Sequence, residues 1–428
     1  MRLSPAKTFV LFFLGLGFIG TLLLTLPFST QSGVEISVLS NLFTAISAIC
    51  VTGLSVVSIG EHYSLFGQIV ILILIESGGL GYMFISTVTA VLIGKMTLKD
   101  KRIMQDIFGM TSFKNIRPML IKAIVFVLAI EIVGALSLTL CFLRDYSLLK
   151  ALYLGTFHSI TAFCNAGFST FSDSLIGSAH NYPLLLILSM LITLGGLGFF
   201  VLVDVYDTYR QKQIHFLLHT KVVLAVTVII FVPFVLFILL YEKESLAIAI
   251  FQASSIRTAG FIAVPVEMTT ELSKFVYMFF MAIGAAPAST AGGIKVTTVA
   301  VIFVFVRSFI RSKDDVTIFR RRLSDEVVHK ASLIFILTVS AIAVFSAALI
   351  ALEPYFRSTD LVFEIISAFS NTGVSMNVTP KLGSAGKILD IGAMFIGRIG
   401  IITLLISAAG SKSHESNIKY PRANIFVG

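Results

Sequence analysis

Four stretches of this chain, residues 8–34, 183–203, 222–241 and 331–352, contain no Lys, Arg, Asp or Glu. Each reaches or approaches the ~20 residues that a helix needs to cross a bilayer. Charged residues make up only 13% of the chain, against about 25% in a typical soluble domain. A surface so poor in charge excludes a water-soluble globule, and the apolar runs exclude a disordered or fibrous chain. The chain is expected to be an all-α polytopic membrane protein.

The placement of the charges orients it. Most of the 32 lysines and arginines fall at the N-terminus, in 95–122, 210–221 and 307–330, and after residue 412. The segments between carry acids such as Glu35, Asp145, Glu242, Glu267 and Glu353. The positive-inside rule then puts both termini and three basic loops in the cytoplasm of a cell-membrane protein. The net charge of +9 is therefore read as topology and not as a nucleic-acid patch. No cleavable signal is expected, because 8–26 is too long for a signal core and reads as the first membrane helix. Cys50, Cys141 and Cys164 lie in apolar surroundings without metal spacing and read as small buried hydrophobes.

A repeat organises the whole chain. Four short segments end an apolar half-length helix with a small polar tripeptide containing glycine, followed by an apolar residue. They are Val51, Thr52, Gly53, Leu54; Asn165, Ala166, Gly167, Phe168; Thr258, Ala259, Gly260, Phe261; and Asn371, Thr372, Gly373, Val374. The glycines are 114, 93 and 113 residues apart. Each unit is expected to hold a full span (7–28, 118–143, 220–241, 331–352), a half helix (39–51, 151–165, 246–258, 360–371) and a return span (66–92, 183–203, 275–307, 387–407). The units run 1–95, 96–212, 213–315 and 316–410, with a cytoplasmic tail at 411–428. Half segments of 12–15 residues are too short to cross and read as re-entrant. The expected architecture is four helix–pore-helix–helix repeats, eight membrane helices and four half helices, around a pseudo-fourfold pore. The return spans share a register, Ser77-Gly-Gly-Leu-Gly81, Leu194-Gly-Gly-Leu-Gly198, Ala291-Gly-Gly-Ile-Lys295 and Ile396-Gly-Arg-Ile-Gly400, whose small residues allow close helix approach.

Irregular backbone at membrane depth survives only inside protein or beside a wet cavity. Glycine lets successive carbonyls turn toward an axis. Four such strands replace a cation's hydration shell with main-chain oxygens, and half-helix C-termini add partial negative charge. No Asp or Glu occupies the tripeptides, which favours monovalent-cation selection by backbone carbonyls and no bound cofactor. A catalytic cluster is absent from the sequence pattern, so an enzyme is not expected.

The third return span departs from the others. Gly284, Ala285, Ala286, Pro287, Ala288, Ser289, Thr290, Ala291, Gly292 and Gly293 interrupt its apolar run, and Pro287 removes a helix hydrogen bond. This segment reads either as a flexible plug beneath the filter or as a proline kink with small-residue packing. Arg398 stands mid-span where a charge needs a wet cavity or a partner. It either contacts carbonyls of the 284–293 loop and raises a barrier to cations, or pairs with Glu76 or Glu131. Lys295 belongs to the gate group or snorkels to the interface. Arg257 and Glu364 are expected to brace filter strands, and His158 to pack.

These motifs resemble the membrane subunit of the Trk/Ktr/HKT potassium transporter superfamily, and its bacterial Ktr type in particular, over essentially the whole chain. Residues 51–54, 165–168, 258–261 and 371–374 are similar to its filter strands. Residues 288–295 resemble its intramembrane gate loop, 395–400 its arginine motif and 416–421 its tail. The resemblance implies K+ as substrate, with glycine at position 53 fitting K+ preference, and Na+ as an activator. It also implies a homodimer and a cytoplasmic ring of RCK-type nucleotide-binding subunits. A Na+-permeable or weakly selective relative of the same fold is the alternative.

Overall fold

The structure is a computed structural model that describes residues 5–81, 116–212, 215–313 and 315–409. The end of the first return span, the boundary at residue 95, most of the first basic loop and the C-terminal tail lie outside the described residues.

Four long apolar helices occur where full spans are expected: α1 (Pro5–Leu24), and three more that recur once per unit. The first unit continues with α2 (Val38–Ile49) and α3 (Leu65–Leu80). The second has α4 (Ile116–Phe142), α5 (Leu148–Phe163), α6 (Tyr182–Leu197) and α7 (Phe199–Arg210). The third has α8 (Leu218–Leu240), α9 (Leu246–Thr258), α10 (Glu271–Ala282) and α11 (Val296–Ile310). The fourth has α12 (Asp325–Leu352), α13 (Ser358–Ser370), α14 (Ser384–Ile399) and α15 (Ile401–Ala409). Between α11 and α12 a two-residue antiparallel pair joins Thr317–Ile318 to Arg321–Arg322, a small exception to the all-helical expectation.

Two of the four half helices, α2 and α9, start at side-chain caps. Ser37 accepts from the Ser40 amide and Ser245 from the Ile248 amide, satisfying donors that a helix N-terminus leaves open. The bodies of all four are enclosed: Phe43, Phe157, Phe251 and Phe363 are all fully buried. The long helices form the outer wall. They turn Phe18, Leu140, Ile229 and Val344 outward, each about two-thirds exposed. An apolar belt of this extent has no place in water and fits a lipid-facing surface.

The return spans correct the sequence reading. Only the third was expected to be interrupted, at 284–293; the second and fourth are interrupted as well. α6 and α7 meet at 93°, and α14 and α15 also at 93°. In the third unit the chain leaves α10 at Ala282 and resumes helix only at Val296. α3 ends at Gly81. The breaks fall on the last glycine of the shared register: Gly81, Gly198 and Gly400 have φ of 58°, 87° and 86°, where a side chain is strained. The first glycine of the register does serve close approach. A Cβ on Gly78, Gly195 or Gly397 would collide with the carbonyl oxygen of Ile49, Phe163 or Phe369, the last residues of α2 and α5 and the last but one of α13.

Candidate functional site

The four half helices end at one place. In the first, second and fourth units the residue two before the glycine adopts a left-handed conformation: Val51, Asn165 and Asn371 have φ of 57°, 57° and 51°. The glycine follows with φ between 66° and 93° in all four units. The third unit differs, because α9 runs on through Thr258 and Ala259 has φ −124°.

These turns close on each other in cyclic order. A Cβ on Gly53 would strike the Ala166 carbonyl oxygen, and one on Gly167 the Ala259 oxygen. One on Gly260 would strike the Thr372 oxygen, and one on Gly373 the Thr52 oxygen. The backbone of each unit thus presses on the next, and the fourth returns to the first. Only glycine allows this contact and this φ together.

The amide hydrogens of the turns are tied back. Thr52, Ala166 and Thr372 donate to the carbonyls of Ser47, Thr161 and Ser367 at 2.8, 2.8 and 2.9 Å, and Gly260 donates to the Ser255 carbonyl at 2.9 Å. Gly53 and Gly373 donate to the hydroxyls of Ser47 and Ser367 at 3.2 and 3.1 Å. No donor among the described residues reaches the carbonyls of 51–53, 165–167, 258–260 or 371–373. Acceptors left without donors at a buried site call for another partner. The residues after the glycines face away and anchor the turns in the core: Leu54, Phe168, Phe261 and Val374 are each at most 1% exposed.

Side chains behind the ring stitch neighbouring units. Thr258 Oγ1 donates to Asn165 Oδ1 at 2.9 Å. Asn371 Nδ2 donates to Thr52 Oγ1 at 2.8 Å and to the Met394 carbonyl at 3.0 Å. The sequence reading placed these residues in the turns for their carbonyls and missed their side-chain work. A hydroxyl six residues before the glycine in every unit (Ser47, Thr161, Ser254, Ser367) was a signal in the sequence, and two of the four bond the glycine amide.

The loop from Gly284 to Gly293 lies against this ring. Its ends meet, since a Cβ on Gly284 would strike the Gly292 carbonyl, and the Gly284 amide donates to Ile294 O at 3.0 Å. It fills the α6–α7 bend: the Ala286 amide donates to Gly196 O at 3.1 Å, and Phe199 donates back to Ala288 O at 3.0 Å. Ala288 has φ 56°. Ser289 closes the loop on the Ala286 carbonyl at 2.6 Å. Thr290 is fully buried, accepts from Asn165 Nδ2 at 2.8 Å and donates to Phe163 O at 3.1 Å.

Arg398, from the fourth unit, reaches across. Its guanidinium donates to the carbonyls of Thr290 and Gly78, and to that of Gly79 at 3.1 Å. It makes no ion pair with Glu76 or Glu131, so of the two expected arrangements the structure has the carbonyl contact. Lys295 caps the loop by donating to Ala291 O at 2.6 Å and does not snorkel away. Glu364 bonds Ser375, the Thr379 hydroxyl and the Thr379 amide, the last at 2.7 Å, the bracing expected of it. His158 packs and also bonds Leu154 O at 2.9 Å and Ser169 at 3.2 Å. Arg257 is buried, and its Nε and Nη1 have no partner among the described residues, so these two nitrogens supply no brace.

The profile "TrkH: Cation transport protein" matches residues 5–420. The chain is 33% identical over 443 residues to the potassium/sodium uptake protein NtpJ of Enterococcus hirae, covering 100% of this chain and 98% of that one. It is 35% identical over 443 residues to the Ktr system potassium uptake protein B of Bacillus subtilis, with the same coverage. The crystal structure of the potassium transporter TrkH from Vibrio parahaemolyticus shares the fold, with a TM-score of 0.73 at 21% identity, over 93% of this chain and 83% of that one. The chain belongs to the TrkH family of cation transport proteins and is a transporter, not an enzyme.

Proposed function

We propose that the chain conducts K+ across the cell membrane, down its electrochemical gradient, through the ring of main-chain carbonyls at 51–54, 165–168, 258–261 and 371–374. The single observation that carries this reading is the closed cycle of glycine contacts with amides tied back and carbonyls left without donors. Such oxygens suit a partly dehydrated monovalent cation. Two relatives named for potassium uptake support K+ as the cargo.

The loop 284–293 then acts as the gate and Arg398 as its latch, since the guanidinium places a positive charge and two anchors on the loop side of the ring. The reading includes a homodimer with both termini in the cytoplasm, an RCK-type nucleotide-binding ring as regulator, and Na+ as activator. The B. subtilis relative's name, a lettered component of a system, supports a partner. A Na+-permeable pore is the second reading, favoured by the potassium/sodium name of the E. hirae relative.

Reconstitution in liposomes with K+ or Na+ as sole permeant ion tests the reading. The wild type is expected to pass K+ at least tenfold faster than Na+. In Gly260→Ser, of unaltered elution on size exclusion, that preference collapses. Equal discrimination in variant and wild type would show that the third turn does not select ions.

A further inference from the structure

Three side chains with metal-ligating atoms meet just behind the second turn: Glu76 on α3, Glu131 on α4 and Cys164 at the end of α5. Their ligand atoms all lie within 4.8 Å of one another. Cys164 is fully buried and Glu131 is 6% exposed. Glu131 Oε1 is enclosed and has no hydrogen-bond donor. Cys164 Sγ contacts Glu76 Oε2 at 3.4 Å. Neither glutamate forms an ion pair with a described Lys or Arg. Two carboxyl groups held together at membrane depth without a cation are costly, and the open Oε1 asks for a positive partner.

We propose that Glu76, Glu131 and Cys164 form a site for a zinc-class divalent ion, Zn2+ or Cd2+, separate from the ion path. The donor set decides the class. Na+, K+, Mg2+ and Ca2+ prefer oxygen alone, whereas a thiolate with two carboxylates selects a borderline or soft ion. The spacing agrees. In a tetrahedral zinc site with bonds of about 2.3 Å to sulfur and about 2.1 Å to oxygen, adjacent S and O ligands stand roughly 3.6 Å apart, near the 3.4 Å seen here. Three protein ligands leave the fourth position to water. Binding deprotonates the thiol and releases its proton to solvent. The ion would tie α3, α4 and α5 together beside Gly79, whose added Cβ would lie 2.8 Å from Cys164 Sγ.

The test reads binding alone and is independent of transport. The untagged full chain in detergent, stripped with chelator, is titrated with Cd2+ while thiolate-to-metal charge transfer is followed in the ultraviolet. One ion per chain is expected. Cys164→Ser is expected to abolish the band and Glu131→Gln to weaken binding at least tenfold, while Cys50→Ser and Cys141→Ser retain it. Zinc-edge X-ray absorption on the wild type avoids any dependence on variants that fail to fold. It is expected to show one sulfur at about 2.3 Å and the remaining ligands as oxygen at about 2.0–2.2 Å. No charge-transfer band, a band that survives Cys164→Ser, or a zinc shell without sulfur would overturn the site.

Discussion

A single methyl group probes the ring at the residue scale. Gly53, Gly167, Gly260 and Gly373 each touch the next turn's backbone at positive φ. Overpacking there costs roughly 1–3 kcal/mol, and an L side chain in the left-handed region adds about 1–2 kcal/mol. Each Gly→Ala variant is expected to lower the thermal midpoint and to lose the preference for K+ over Na+. Gly15→Ala, with open space around its Cβ, is the control that leaves both unchanged. A ring variant that behaves like this control removes its turn from the cycle. Asn165→Leu keeps the size but removes its bonds with Thr258 and Thr290, leaving each hydroxyl only a backbone acceptor, Ser254 O at 3.3 Å and Phe163 O at 3.1 Å, at about 0.5–1.5 kcal/mol per lost bond; the drop in midpoint should come with lost K+ over Na+ preference. The glycines were legible because a tripeptide repeated in context is a local pattern. The work of Asn165 was not, because its partners stand 93 and 125 residues away, and no local spacing encodes such a contact.

Among elements, the half helices and the long apolar spans were visible in sequence. α9 ends at Thr258 as read, and α5 and α13 end within two residues of their expected limits. The broken return spans were not visible. Glycine inside a helix costs only about 1 kcal/mol, so Gly-Gly-Leu-Gly suits a packed straight helix as well as a bent one. Tertiary contact decides: the bend at Gly198 leaves room for the loop, where a Cβ would stand 2.8 Å from Pro287 O. Arg398 thereby bonds carbonyls on α3 and the loop from α14, and the proposed latch depends on all three elements at once. Arg398→Ala, or deletion of 286–292, is expected to raise K+ flux in liposomes at least severalfold with assembly intact. Arg398→Lys is expected to behave like Arg398→Ala, because one ammonium cannot serve carbonyls on both α3 and the loop as a planar guanidinium does. Wild-type flux in either Arg398 variant would contradict the latch.

For the whole molecule, four half helices of one chain bring their glycine turns into one closed cycle, without requiring the turns to be equal. The third unit carries the exceptions: a helix that runs through Thr258, a loop of thirteen residues inside its return span between Ala282 and Val296, and Lys295 where the other units have a glycine. On the proposed function, this departure in one unit lets a path be obstructed from one side while the ring above stays closed. Lys274 on α10, buried and paired with Glu271 at 3.0 Å and Asp360 at 3.1 Å, fastens that third unit to α13 of the fourth. The central claim is that the carbonyls of the four turns bind the permeant cation. The direct measurement is anomalous diffraction or cryo-EM density from protein equilibrated with Rb+ or Tl+ in place of K+. The account predicts peaks on the axis shared by Gly53, Gly167, Gly260 and Gly373, within coordinating distance of the Thr52, Ala166, Ala259 and Thr372 oxygens. Rb+ or Tl+ bound elsewhere, with that axis empty in a flux-competent preparation, would contradict it.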